Sequence, residues 1–404
     1  MRRPRAALWA SLLAAMAGAA TAETDPADWD GVLEAAEGQT VYWNAWGGDP
    51  RTNAYIEWAA DEVLSRFGVE LELVKQSDIS AAISTVLSEK SAGKDEGGSI
   101  DLLWINGENF AAMKEKDLLF GPWAEDLPNW SLLGAEDNPA LTEDFTVPTE
   151  GLEAPWSMAQ VVFYHDSARV PEPPKTVRDL LDWTRANEGR FTYPQPPNFL
   201  GTTFLKQALL GLVEDTGPLY APVSDADYEA VTAPLWDWLG ELTPTLWRSG
   251  AAYPQSGPAQ RQLMADGEID IAISFSPAEA SAAIANFELP ESVRTYVLDG
   301  GTIGNANFLA IPYNATAKEG AMVVANFLMS PEAQARKQDP EVLGALTVLD
   351  VAALGEEDRA LFEDLDLGIA TLTPEELGSP LAEPHPSWME RIEEDWDRRY
   401  GAGQ

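Results

Sequence analysis

An α/β protein of two lobes, with additional helices at the C-terminus, is predicted by three features of the 404-residue sequence. Strand-like and helix-like segments alternate from residue 40 onward, which is the pattern of a parallel sheet covered by helices. About 380 residues follow a separable N-terminal segment, more than one ordinary core accommodates. Pro-rich breaks near residues 148–174 and 312 mark places where the chain would pass between lobes.

The first 22 residues read as a secretory signal peptide: Arg2, Arg3 and Arg5 precede an apolar run, which closes on Ala20-Thr21-Ala22. The apolar run is too short for a membrane span, no later stretch reaches the roughly 18 apolar residues that one needs, and Arg2-Arg3 lacks the flanks of a twin-arginine signal. Cleavage near Ala22 by general secretion is therefore expected. The sequence contains no cysteine, so disulfides, thiolate metal sites and a lipoprotein anchor are not expected. The expected location is periplasmic.

After a short helix over 25–36 comes a strand at 40–43, running into the loop Asn44-Ala45-Trp46-Gly47-Gly48-Asp49. Ile56, Ala59, Val63 and Phe67 then lie at helical spacing and Gly68 stops the helix. A second strand over 69–74, a helix carrying Ile79, Ile83, Val86 and Leu87, and an apolar strand over 100–105 repeat the unit. In parallel α/β sheets ligands bind at the loops after the strand C-termini, here 44–49, 76–78 and 106–110.

Between residues 148 and 174, Ala154-Pro155-Trp156 leads into a further strand at 161–164 and then a Pro-rich segment at 170–174, and this stretch is read as the first crossing. A helix over 177–186, strands at 190–193, 269–275 and 294–298, and Trp-bearing helices follow. The apolar segment 308–312 is the return crossing, and helices dominate thereafter. The expected organisation is 23–155 for the first part of lobe 1, 156–305 for lobe 2, 306–350 for the return to lobe 1, and 351–404 for C-terminal helices packing on the lobes.

The formal net charge is −40, and loss of the three N-terminal arginines takes it to −43. That charge disfavours nucleic acid and anionic membrane surfaces as partners. It suits either a solvated acidic shell or attraction of cationic solutes. His165 and His385 are the only histidines, and neither belongs to a metal or nucleophile motif. No Gly-x-Ser-x-Gly elbow, His-Glu-x-x-His or phosphate loop is present. No catalytic residue, metal site or cofactor is expected, and a secreted hydrolase stands only as an alternative.

Asn326-Phe327-Leu328-Met329-Ser330-Pro331-Glu332-Ala333-Gln334 resembles a recurrent segment of family 1 extracellular solute-binding proteins. Its local physics is a Ser cap, Pro at the first helical position and Glu against the helix dipole. It follows Ala310-Ile311-Pro312-Tyr313-Asn314, where these receptors return from their second lobe. Leu263–Ala272 is similar to the helix-turn-strand that carries second-lobe ligand contacts in that family, and residues 43–130 resemble its YnjB-like branch. The resemblance implies the type II periplasmic-binding-protein fold, a small-molecule solute, partner ABC permease and ATPase subunits, and no enzymatic turnover. A monomer is the default.

Candidate ligand-binding residues sit where strands end and aromatics and amides cluster. Trp43, Asn44 and Trp46 form the first group, with core packing the competing role for Trp43 and loop support for Asn44. Asn106, Glu108 and Asn109 form the second, where helix capping competes for the asparagines and an internal salt bridge for Glu108. Trp156 and Gln160 lie near the first crossing. Asn198, Thr202, Tyr253, Gln255, Ser256, Ser274, Phe275 and Ser276 come from the second lobe, and Asn305 and Asn307 flank the return crossing. Glu108 tilts the expected solute toward a small polar cation, with aromatic faces as its cage; an oligosaccharide on the same aromatics is the alternative.

Overall fold

Ten strands divide between two main sheets and a short hairpin in the computed structural model, which describes residues 24–136 and 138–401. The expected signal peptide lies outside the described residues. β1 (Thr40–Trp46), β2 (Glu70–Gln76), β3 (Leu102–Ile105), β6 (Glu153–Gln160) and β10 (Gly304–Ala310) form the first-lobe sheet, in the order β2-β1-β3-β10-β6. β4 (Glu143–Asp144) and β5 (Val147–Pro148) make the hairpin. β7 (Val162–Asp166), β8 (Ile271–Ser274) and β9 (Val293–Tyr296) form the second-lobe sheet, in the order β8-β7-β9.

The expected parallel pairing holds for β1 with β2 and β3. It does not extend to β10, which runs antiparallel to β3 and β6, or to the second-lobe sheet, which is antiparallel throughout. Helical crossovers join β1, β2 and β3, whereas β10 enters from the other lobe and so runs the opposite way. The expected strand at 190–193 reduces to one bridge, Phe191 to Ile271.

Along β1, Val41, Trp43 and Ala45 turn into the core while Tyr42 is exposed, the alternation of a pleated strand. The helix Pro50–Phe67 covers this face with Tyr55, Ile56, Ala59 and Val63. Asp49 caps it, accepting from the Arg51 N–H at 2.7 Å, and Gly68 closes it in the left-handed region (φ 66°), donating to the Leu64 carbonyl. The helix Pro331–Gln338 starts as the sequence indicates, with Ser330 Oγ accepting from the Ala333 N–H at 3.3 Å.

Each lobe has its own core. Trp43, Tyr55, Trp123, Trp156 and Phe308 anchor the first; Phe163, Tyr193, Phe204, Trp388 and Trp396 anchor the second. Two crossings run side by side, because Gln160 pairs with Gly304 and the Val161 N–H donates to the Ile303 carbonyl at 2.8 Å. A third follows: Phe362 belongs to the first-lobe core, yet Leu381 bridges Ile303 and the C-terminal helix Pro386–Tyr400 buries Trp388, Ile392 and Trp396 in the second. Among the described residues no helix is long and apolar enough to cross a membrane.

Candidate ligand-binding cleft

A cavity of about 550 Å³ lies between the lobes. All three loops that follow the parallel strands reach it: Trp46 ends β1, Ser77 and Asp78 follow β2, and Asn106, Glu108 and Asn109 follow β3. Trp156 on β6 and Asn307 on β10 form its floor. The second lobe contributes Asn198, Gln255, Ser274, Phe275 and Ser276.

The floor is built on aromatic edges. Trp156 receives Trp43 and Trp104 edge-on, at centroid separations of 5.5 and 4.8 Å. Trp104 Nε1–H donates to Asn307 Oδ1 at 3.1 Å, which fixes the amide in the return strand. Trp104 carries no sequence signal of its own; it lies one residue before the end of β3, whose following loop does.

The remaining sequence candidates lie outside the cavity lining. Trp43 is fully buried in the first-lobe core, and Asn44 Oδ1 accepts from Gln76 Nε2–H at 2.6 Å, tying β1 to β2. Gln160 donates to Thr302 Oγ1 and the Leu377 carbonyl, bracing the crossings. Thr202 donates to Glu393 at 2.6 Å, and Asn305 Nδ2–H donates to Glu383 at 2.9 Å. Tyr253 packs between Tyr193 and Trp396, and Ser256 caps the helix Gly257–Ala265.

Two charge groupings border the cleft. In the first, Arg51 Nη2–H donates to Asp49 at 3.2 Å and, across the lobes, to Glu279 at 3.0 Å. Arg261 also pairs with Glu279, and reaches Glu288 at 2.9 Å. Burial works against the Asp49 carboxylate, but Arg51 outweighs it and holds the group below its usual range. Arg51, Arg261 and Glu279 are borne on helices and belong to no sequence motif, whereas Asp49 closes the loop after β1 that the sequence marks.

In the second grouping the acids lack such partners. Among the described residues Glu108 and Asp78 form no ion pair; Glu108 accepts from Asn109 Nδ2–H, at 2.9 Å, and from its own backbone N–H. Burial, with a contribution from Asp78 and Glu390, pushes the Glu108 carboxyl up to about 7. The nearby Lys206 is committed elsewhere: its ammonium is fully buried and bonds Glu383 at 2.7 Å. The cleft therefore offers aromatic faces, side-chain amides and an uncompensated carboxylate end.

Neither histidine reaches this site: His165 Nδ1 bonds the Val170 carbonyl, and His385 caps the C-terminal helix. Among the described residues no three His, Asp or Glu side chains gather as a metal site.

Residues 58–361 match the family model of bacterial extracellular solute-binding proteins. Protein YnjB of Escherichia coli (strain K12) is 42% identical over 378 residues, covering 94% of this chain and 95% of that one. Among solved structures, the periplasmic binding protein AfuA from Actinobacillus pleuropneumoniae, with fructose-6-phosphate bound, is similar at a TM-score of 0.62 and 14% identity, over 90% of this chain and 99% of that one. A putative spermidine/putrescine ABC transporter from Listeria monocytogenes is similar at a TM-score of 0.60 and 18% identity, over 89% and 98%.

Proposed function

The chain belongs to the bacterial extracellular solute-binding protein family, the binding components of ABC transporters, and we propose that its solute is a small polar organic cation. The observation that carries the charge assignment is the balance of the cleft. Asp49 and Glu279 satisfy Arg51 and Arg261, whereas among the described residues Asp78 and Glu108 form no ion pair. A desolvated carboxylate gains most from a positive partner, and Trp46, Trp104 and Phe275 line the cavity with aromatic surface beside it. One solved neighbour holds fructose-6-phosphate and another is named as a putative spermidine/putrescine transporter, so the fold by itself does not set the sign of the solute's charge. Selection then rests on this chain's own residues.

Capture works by a shift of population: contacts made by both lobes favour the closed state, and no chemistry on the solute is needed. The lobes move about the paired crossings near 160–162 and 302–304, and the protein acts in the periplasm as a monomer, after cleavage near Ala22, handing its solute to the permease and ATPase subunits. Asn106, Asn109, Asn198, Gln255 and Asn307 supply amide contacts in the cleft.

A thermal-shift screen of organic cations against neutral isosteres and oligosaccharides tests the reading. A ligand at a hundred times its Kd stabilises by about 2.7 kcal/mol. Saturable stabilisation is expected from a cation and is lost on Glu108→Gln without loss of the apo fold. Stabilisation by an oligosaccharide that Glu108→Gln leaves intact, or turnover of the solute, defeats it.

A further inference from the structure

The C-terminal helix Pro386–Tyr400 is fixed to the second lobe by its own core residues. Trp388 Nε1–H donates to the Ala221 carbonyl and Trp396 Nε1–H to the Tyr193 hydroxyl, both at 2.9 Å. The same helix also packs on the first-lobe helix Glu108–Glu115, so the two lobes meet through this pair of helices. Met389 lines the cavity, and Glu393, four residues on, shares that side of the helix. Glu393 is half-buried, and the Thr202 hydroxyl steers its carboxylate from behind.

From this placement we infer that Glu393 is a specificity-determining residue of the cleft. With Glu108 it forms an interlobe pair of like charges, which keeps the empty lobes apart until the solute's positive charge neutralises it. The inference rests on the cationic reading of the cleft. Burial and the facing Glu108 push the Glu393 carboxyl up to about 7, the same range as Glu108. Asp78 adds negative charge toward both groups and Glu390 toward Glu108, while Glu108 and Glu383 add to the burial that raises the carboxyl of Asp144. Lys206 opposes this on both Glu108 and Glu393, while its ammonium is itself paired with Glu383. Protonating either carboxylate removes the like-charge contact, so a proton on one of them substitutes for the cation. Below neutrality the empty cleft is then relaxed; above it both acids ionise and repel.

The test needs no solute. Small-angle scattering of the full mature chain at pH 6 and pH 8.5 should show a larger radius of gyration at the higher pH. Glu393→Gln, nearly isosteric, should hold the smaller radius at both, and Glu108→Gln should do the same from the other lobe. Carboxyl titration by NMR should find the Glu108 midpoint near 7 in the wild type and lower in Glu393→Gln. A wild type that does not respond to pH, or a Glu393→Gln variant that keeps the response, overturns the pair. A second arm adds n-butylammonium, 1,4-diaminobutane and butane-1,4-diol at pH 8.5, with compaction expected from the amines alone. If the pH arm holds and neither amine compacts the protein, the cationic reading fails and Glu393's place in specificity falls with it, while the charge pair stands.

Discussion

Glu153 shows how a single side chain can set a pH dependence for the whole protein. It is fully buried at the start of β6, neither carboxylate oxygen has a hydrogen-bond partner, and burial together with the nearby Asp144 raises its pKa well above the ordinary value. An acid whose folded pKa is raised stabilises the fold fully below its unfolded pKa, and that stabilisation is lost as pH rises through the folded one. Each unit of the difference is worth about 1.4 kcal/mol. Glu153→Gln should therefore cost stability at pH 5 and regain more than about 1 kcal/mol relative to wild type by pH 8, measured by denaturant unfolding across that range. A variant whose deficit is the same at both pH values would mean that Glu153 does not hold its proton. Residues of this kind are not legible in sequence: Glu153 reads as one of 66 acids until the β10 pairing encloses it. Trp46, Asn106, Glu108 and Asn109 could be placed near the cleft because a loop after a parallel strand has a known location in such sheets. Trp43 and Asn44 stand in the same stretch, but the pleat directs one to the core and the other to a neighbouring strand, and two-residue alternation alone does not say which face is which.

At the scale of elements, helix ends were the most legible part of the chain, since caps act over three or four residues. The Pro331–Gln338 helix illustrates it: Ser330, Pro331 and Glu332 define its start and Arg336 and Lys337 its end. Its interior also matters, because Gln334 Nε2–H donates to the Trp156 carbonyl at 2.8 Å and so supports the cleft floor from below. Ser330→Ala removes the bond to the Ala333 N–H and should cost about 1 kcal/mol of unfolding free energy. Ser330→Asp, which restores an acceptor at the cap and adds favourable charge, should recover most of it. Equal losses in both variants would show that the cap is not what holds this end. Strands were less legible. The 190–193 segment has a strand-like composition but finds one bridging partner, and β10 runs antiparallel to β3 because direction is decided by which lobe the chain arrives from.

For the whole molecule, length and alternation imply two lobes, but the contacts that hold them together join residues far apart in sequence. Arg51 and Glu279 are separated by 228 positions and meet at 3.0 Å across the cleft, with side chains 18% and 13% exposed. A pair this desolvated escapes most of the screening that makes surface ion pairs nearly neutral. It opposes the Glu108 and Glu393 repulsion, so the empty protein is held between an attractive and a repulsive contact, both interlobe. Arg51→Ala removes the attraction without stranding Glu279, which keeps Arg261. The loss should be about 1–2 kcal/mol of closed-state stability, and a binding-competent population reduced by that amount weakens any bound solute roughly 5–30-fold. Scattering should find the empty variant more expanded than wild type at neutral pH, and the change should lie in solute dissociation more than association. Each lobe keeps its own core, so thermal unfolding should move far less than affinity. An Arg51→Ala protein with wild-type dimensions and affinity would leave the interlobe ion pair without a role in closure, and closure would then rest on the solute alone.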